Sequence, residues 1–248
     1  MSNNQIDDLI VSYQMGKVGS SSITAKIPGC IQTHSWGGEE PIKYFSSRYT
    51  GSLIGRVMQN IRWRYVCQNL QRRVLKTKKI GGKVKLIVGV REPVSRNVSG
   101  YFQTLTIREQ GKSVKQIVDE FWAFCPHFSS LYWFDVEMKR SIGVDVYKHP
   151  FNKSEGYAHI VDEEVDIFIY QLEKLSTLED KIRKFVGRDD FQLVRENDAS
   201  DKWLGDVYEG FVKVFKPGEE YLSLMYASKY FEHFYSEEDR KRFVDKWS

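Results

Sequence analysis

The chain has 248 residues, of which 41% are apolar and 28% charged, with 37 Lys or Arg set against 33 Asp or Glu. Six Trp, fourteen Tyr and fifteen Phe are enough for a large core, so wholesale disorder is excluded and the length suits a single α/β domain over 1–248. No run of eighteen apolar residues occurs, which excludes a membrane-spanning helix.

The first eight residues are polar and acidic and hold no apolar signal stretch, so a cytoplasmic location is expected. Residues 8–14 (DLIVSYQ) form a short apolar run that predicts a buried strand. MGKVGSSS follows as a Gly/Ser turn, with a helix beginning near Ser20, and residues 30–34 (CIQTH) suggest a second strand. From about 44 to 79 the pattern is helical, and 84–90 (VKLIVGV) is the clearest strand, bounded by Gly82 and Pro93. Pro93 suits the first turn of a helix reaching about 108, and a further helix is predicted over 113–125. Residues 165–170 (VDIFIY) predict another strand, followed by a helix to about 186. From 201 onward aromatic residues recur at helical spacing. Strands alternating with helices imply a largely parallel sheet with helices on both faces, whose ligands bind beyond the carboxyl ends of the strands. The three cysteines, Cys30, Cys67 and Cys125, are far apart and form no CxxC pair, which predicts reduced thiols and neither a disulfide framework nor a zinc site.

Two segments carry chemistry. In the first, Gly16-Lys17-Val18-Gly19-Ser20-Ser21-Ser22 joins a strand to a helix. Glycines there turn backbone N–H groups toward one point, the serines add hydroxyl donors and Lys17 adds a point charge, which together suit a phosphate. A Walker A loop places its lysine directly before Ser or Thr, whereas Lys17 precedes the second glycine by two residues. The strand over 84–90 also ends in Arg91 rather than a magnesium-holding acid, so an ordinary NTPase is disfavoured. In the second segment, Arg91 stands at a strand end and Ser99 lies about two helical turns along, so a guanidinium fork and a hydroxyl could converge on one phosphate.

Together these segments resemble the sulfotransferases that use 3′-phosphoadenosine 5′-phosphosulfate (PAPS). That family's 5′-phosphosulfate loop, typically Pro-Lys-x-Gly-Thr-Thr, is similar to Gly16-Lys17-Val18-Gly19-Ser20-Ser21, with Gly for Pro and Ser for Thr. Its 3′-phosphate element, Arg-x-Pro-x-x-Arg-x-x-Ser-x-Tyr, is filled by Arg91, Pro93, Arg96, Ser99 and Tyr101. Tyr170-Gln171-Leu172-Glu173 looks like the strand end of many members. The loop wording, the segment from Phe151 to Tyr157 and the aromatic C-terminal helices resemble bacterial sulfotransferase-like proteins of capsular polysaccharide synthesis. The resemblance implies a P-loop-like three-layer sandwich with a central mainly parallel sheet and a helical C-terminal region. It implies PAPS as donor, adenosine 3′,5′-bisphosphate as product, no metal, and a hydroxyl acceptor, plausibly a carbohydrate. Cofactor contacts fall on Lys17, Val18, Gly19, Ser20, Ser21, Ser22, Arg91 and Ser99, with Lys17 also neutralising the departing oxygen.

A base is needed for the acceptor's proton. His34 follows the second predicted strand, at the sheet edge that carries Lys17, and several carbohydrate sulfotransferases resemble this with a His-x-His element; here Gln32 fills the earlier position. Glu39 and Glu40 remain alternatives for the base. Between Pro41 and Arg91 there are thirteen Lys or Arg and no acid, a block suited to an anionic glycan, a membrane surface or simply solvent; nucleic acid is not the expected partner. Two competing functions stay open at this point: a nucleotide-dependent kinase and a non-catalytic binder of an anionic polymer.

Overall fold

Residues 8–36, 53–103, 105, 111–163, 165–194 and 202–248 are described by the computed structural model. In chain order they form β1 (Leu9–Tyr13), α1 (Ser20–Thr24), β2 (Ile31–Thr33), α2 (Leu53–Lys79), β3 (Val84–Val90), α3 (Pro93–Phe102), α4 (Val114–Phe124) and α5 (Ser129–Trp133). A π-helical stretch (Phe134–Lys139) continues into α6 (Arg140–Ile142), and β4 (Tyr157–Val161) and β5 (Asp166–Gln171) follow. A 3₁₀ stretch (Leu172–Thr177) leads to α7 (Glu179–Val186), and α8 (Lys202–Val214), α9 (Glu219–Tyr226), α10 (Lys229–Phe234) and α11 (Glu237–Trp247) complete the chain. These elements divide into two units: Met1–Val90 with Trp133–Val194, and Arg91–Tyr132 with Arg195–Ser248.

The first unit holds a five-stranded sheet in the order β2-β1-β3-β5-β4, with β4 alone antiparallel. β3 and β5 are rich in Val and Ile and buried at every position but Lys85, as a parallel sheet covered on both faces requires. Ile87, Phe168 and Tyr170 face one side, where Ile23 and Ile27 near α1 and Leu178, Ile182 and Phe185 near α7 complete an apolar cluster. By strand alternation Leu86, Val88, Ile167 and Ile169 face the other side and are fully buried. From β1 the chain moves to β2 on one side and then to β3 on the other. The carboxyl ends of β1 and β3 are therefore a topological switch point, where crevices of such sheets open.

Three features differ from the sequence expectation. β4 has no counterpart in the sequence reading, because only Ala158 and Ile160 of its five residues are buried and its order comes from antiparallel pairing with β5. The helix expected to run to 186 is broken into the 3₁₀ stretch and α7 at Leu178. The helix expected to reach about 108 instead ends at Phe102, with Gln103 as its C-cap, and the predicted start of α2 near 44 lies outside the described residues.

The second unit is helical and organised on one buried acid. Glu92 caps α3, accepting from the Val94 and Ser95 amides at 2.7 Å each. It also accepts from Tyr226 Oη at 3.0 Å and Trp247 Nε1 at 3.2 Å, which ties α9 and the end of α11 to the start of α3. Around Phe121, the rings of Tyr101, Phe211 and Phe215 pack edge-on at 5.0–5.4 Å, the geometry that aromatic quadrupoles favour.

One glycine in the sheet has a specific task. A methyl on Gly89 would lie 2.6 Å from Val18 Cγ2 and 2.7 Å from Tyr170 Oη, so only Gly lets the loop after β1 rest on β3. Gly89→Ala is expected to lower stability by about 1–3 kcal/mol through overpacking. Gly100→Ala, on α3 where the methyl meets nothing within 4 Å, is expected to raise it by about 0.5–1 kcal/mol. Urea unfolding of the two variants checks both signs.

Candidate functional site

The loop after β1 is shaped by three left-handed residues, Gly16 (φ 83°), Lys17 (φ 61°) and Gly19 (φ 79°). Lys17 is the one such non-glycine among the described residues, a conformation that costs an L-residue roughly 1–2 kcal/mol. Strain of this kind persists only where surrounding contacts impose it, and it gathers at binding sites. The contacts here are explicit. Val18 is fully buried over Gly89, and its carbonyl accepts from the buried Tyr170 hydroxyl of β5 at 2.8 Å. Burial keeps that phenol protonated and so a donor. A methyl on Gly19 would meet Leu172 Cδ1 at 2.5 Å, so the residue before α1 has neither the dihedral nor the space for a side chain. Lys17 and Gly19 thus flank a residue locked to two strands.

Ser20, Ser21 and Ser22 open α1, whose first turn receives no side-chain cap. Ser20 is buried, and its oxygen accepts from Gln32 Nε2 at 2.9 Å. With that lone pair engaged, the Ser20 hydroxyl proton is directed elsewhere. Gln32, two residues before His34, therefore orients a loop serine. Ser21 is exposed and Ser22 half-buried.

His34 sits directly after β2, and its ring lies against Gly16: a methyl there would be 3.5 Å from His34 Cε1. Its Nδ1 is 2.7 Å from the Gln14 carbonyl. A carbonyl only accepts, so Nδ1 carries the hydrogen and Nε2 of the neutral ring is the proton acceptor, the tautomer a general base requires. The structure thus brings Lys17, Val18, Gly19, Ser20 and His34 together at the carboxyl edge of β1 and β2. Arg91 and Ser99 belong to the second unit. There the Arg91 backbone is held by Tyr230, whose hydroxyl accepts from the Arg91 amide at 3.0 Å and donates to its carbonyl at 2.9 Å. Ser99 lies half-buried on α3. Glu39 and Glu40, the alternative bases, lie outside the described residues.

Sequence reasoning missed the acid beneath the site. Glu137, in the π-helical stretch, is 1% exposed and accepts from the hydroxyl of Tyr13, the last residue of β1. The same oxygen accepts from the Trp36 amide at 3.2 Å, two residues beyond His34. Tyr13 is itself flanked by the rings of Trp133 at 5.0 Å and Trp36 at 5.5 Å. One carboxylate so braces both strands that flank the site. Its burial raises its pKa, the donated hydrogen bonds opposing this in part. The available sequence signal was one of two acids, Asp135 and Glu137, between Phe134 and Met138, and a π-bulge is not readable from periodicity.

The cysteines are thiols, not disulfides, and burial raises Cys30 to about 11, so it is not a reactive thiolate. Among the described residues no three His, Cys, Asp or Glu side chains cluster as metal ligands do, and no helix is long and apolar enough to cross a membrane.

Residues 124–236 match a family model described as "putative capsular polysaccharide synthesis protein", less than half of the chain. No curated protein and no solved structure matches the chain. The matched region contains the segment from Phe151 to Tyr157, a tight turn ahead of β4. Its Gly156 (φ 77°) leaves no room for a side chain beside Lys174, whose ammonium donates to the Lys153 and Ser154 carbonyls at 2.5 and 2.9 Å. The match includes Glu137 and excludes the Lys17 loop, His34, Arg91 and Ser99.

Burial of Glu137 has a consequence for pH. Above the ordinary glutamate value of 4.5 the unfolded chain releases a proton that the native chain still holds, so this residue lowers stability as pH rises through that window. Glu137→Gln keeps an acceptor for Tyr13 and Trp36 and removes the titration. Its stability relative to the parent should improve from about pH 4.5 upward and then level off, as urea unfolding at several pH values will show. Glu137→Ala, which strands the buried donors, should cost about 2–5 kcal/mol at every pH.

Proposed function

We propose that the chain is a sulfotransferase that moves the sulfuryl group of PAPS to a sugar hydroxyl. The observation that carries the reading is the strained loop at Lys17 abutting, at Gly16, a histidine whose tautomer presents Nε2 as base. The match of residues 124–236 to a polysaccharide-synthesis family supports a sugar acceptor, and the loop wording supports the donor.

The residues present fit a phosphosulfate. Positive φ at Gly16, Lys17 and Gly19 bends the loop backbone as anion-binding nests are bent, and Ser20, engaged by Gln32 on its lone pair, keeps a proton to donate. PAPS supplies an activated sulfuryl group on a 5′-phosphate leaving group. Lys17 neutralises charge growing on the bridging oxygen, and the Ser20–Ser22 hydroxyls bind the phosphosulfate oxygens. His34 Nε2 takes the acceptor proton while the Gln14 carbonyl, bound to Nδ1–H, stabilises the imidazolium that forms. Arg91 and Ser99 are assigned to the donor's 3′-phosphate, which distinguishes PAPS from ATP. A transferred sulfuryl group carries less charge than a phosphoryl group, so positioning and local donors suffice for most of the rate.

The test is direct. Adenosine 3′,5′-bisphosphate at a hundredfold its Kd should stabilise the fold by about 2.7 kcal/mol, and AMP or ATP should do far less. Lys17→Ala and His34→Ala should each lower transfer from radiolabelled PAPS to a panel of sugars by roughly a hundred- to thousandfold, with the circular dichroism spectrum unchanged. Arg91→Ala should act first on bisphosphate affinity. An equal thermal response to ATP with magnesium would point to a kinase and remove the sulfotransferase reading.

A further inference from the structure

The basic block resolves into a face that the transfer chemistry does not use. α2 carries eight Lys or Arg and no acid over its 27 residues. Cys67, Leu70 and Thr77 form its buried seam, and the helix packs on β1, β2 and β3. At 100° per residue, Ile61, Tyr65, Gln68, Arg72, Leu75 and Lys79 fall on the opposite line, a stripe about 27 Å long. Ile61, Tyr65 and Leu75 are 57%, 68% and 60% exposed, and Ile80 beyond the helix end is 51% exposed. Exposed Arg64, Arg72, Lys76 and Lys79 accompany them.

A helix with one wet face needs apolar residues on its buried seam only; α2 carries them on both sides. A solvated cationic face gains nothing from Ile61 and Leu75. Nor does a polyanion such as a nucleic acid or an acidic glycan, which would pair with the cations and leave the aliphatic groups in water. A bilayer surface takes both: the aliphatic and aromatic groups enter the head-group boundary while the long cationic side chains reach lipid phosphates. The absence of any acid on α2 matches this to anionic lipid. We propose that α2 lies along an anionic membrane surface, holding the protein there as a peripheral protein through Ile61, Tyr65 and Leu75 and the cations beside them.

The experiment uses the full chain in flotation with vesicles of phosphatidylcholine alone or mixed with phosphatidylglycerol. Binding is expected on the mixed vesicles only. The Arg72→Glu/Lys79→Glu pair should weaken it at least about tenfold, and Ile61→Ser/Leu75→Ser should abolish the part that survives high salt. All four side chains are exposed, so the variants should fold, and circular dichroism is the check. No retention on anionic vesicles, or retention that the Ile61→Ser/Leu75→Ser pair leaves intact, overturns the proposal. Binding of a single-stranded oligonucleotide in place of vesicles assigns the face to nucleic acid and overturns it too.

Discussion

The seating of Val18 on Gly89 is the contact on which the candidate site depends. A loop that must hold Lys17 at positive φ needs an anchor stronger than the strain it carries. That anchor is a fully buried valine placed where β3 has no side chain, together with a hydroxyl from β5 on the valine carbonyl. Three strands thereby fix one loop. The arrangement works because the parallel sheet places the ends of β1, β3 and β5 side by side. A ligand-binding loop gains precision from rigid elements beneath it, and here the rigidity is that of the most buried strands of the first unit.

A second brace acts from the opposite face of β1. Tyr13 and Gln14 are consecutive, and each reaches the end of β2 or the segment just after it. Gln14 does so through its amide to Thr33 and its carbonyl from His34, and Tyr13 through Glu137 to Trp36. The base candidate is therefore held at its ring nitrogen and again two residues downstream. Such a histidine has one orientation, and its neutral tautomer is set by a backbone carbonyl rather than by a second acid. Burying Glu137 beneath the site places a titratable group where the fold tolerates it only with its donors in place.

In the second unit Glu92 performs the corresponding structural task. It sits directly after Arg91, and its two oxygens gather a helix start, a tyrosine and a C-terminal tryptophan. Arg91 is held in turn by both backbone groups through Tyr230, so its main-chain position is defined by α10. The C-terminal helices α9, α10 and α11 thus hold the backbone around Arg91 and Glu92, a link that the Arg91 segment does not reveal when read alone.

Much of the first unit was legible in the chain itself. β-branched runs between turn residues mark β1, β3 and β5, because a strand buried on both faces must be apolar at nearly every position. The Gly-Lys-Val-Gly-Ser wording marks a strand-to-helix loop, because only glycines adopt its dihedrals without strain. The cationic character of α2 is likewise plain from residue identity. What the tertiary structure alone decided is which distant groups meet. Val18 and the Tyr170 hydroxyl are 152 residues apart, and Tyr13 and Glu137 are 124 apart. No local period encodes either pair. The role of Glu92 was hidden for the same reason: an acid that caps its own helix gains Tyr226 and Trp247 as donors only once the distant C-terminal helices pack against it. Local patterns report which face of an element is apolar; the identity of the group across that face is settled by packing.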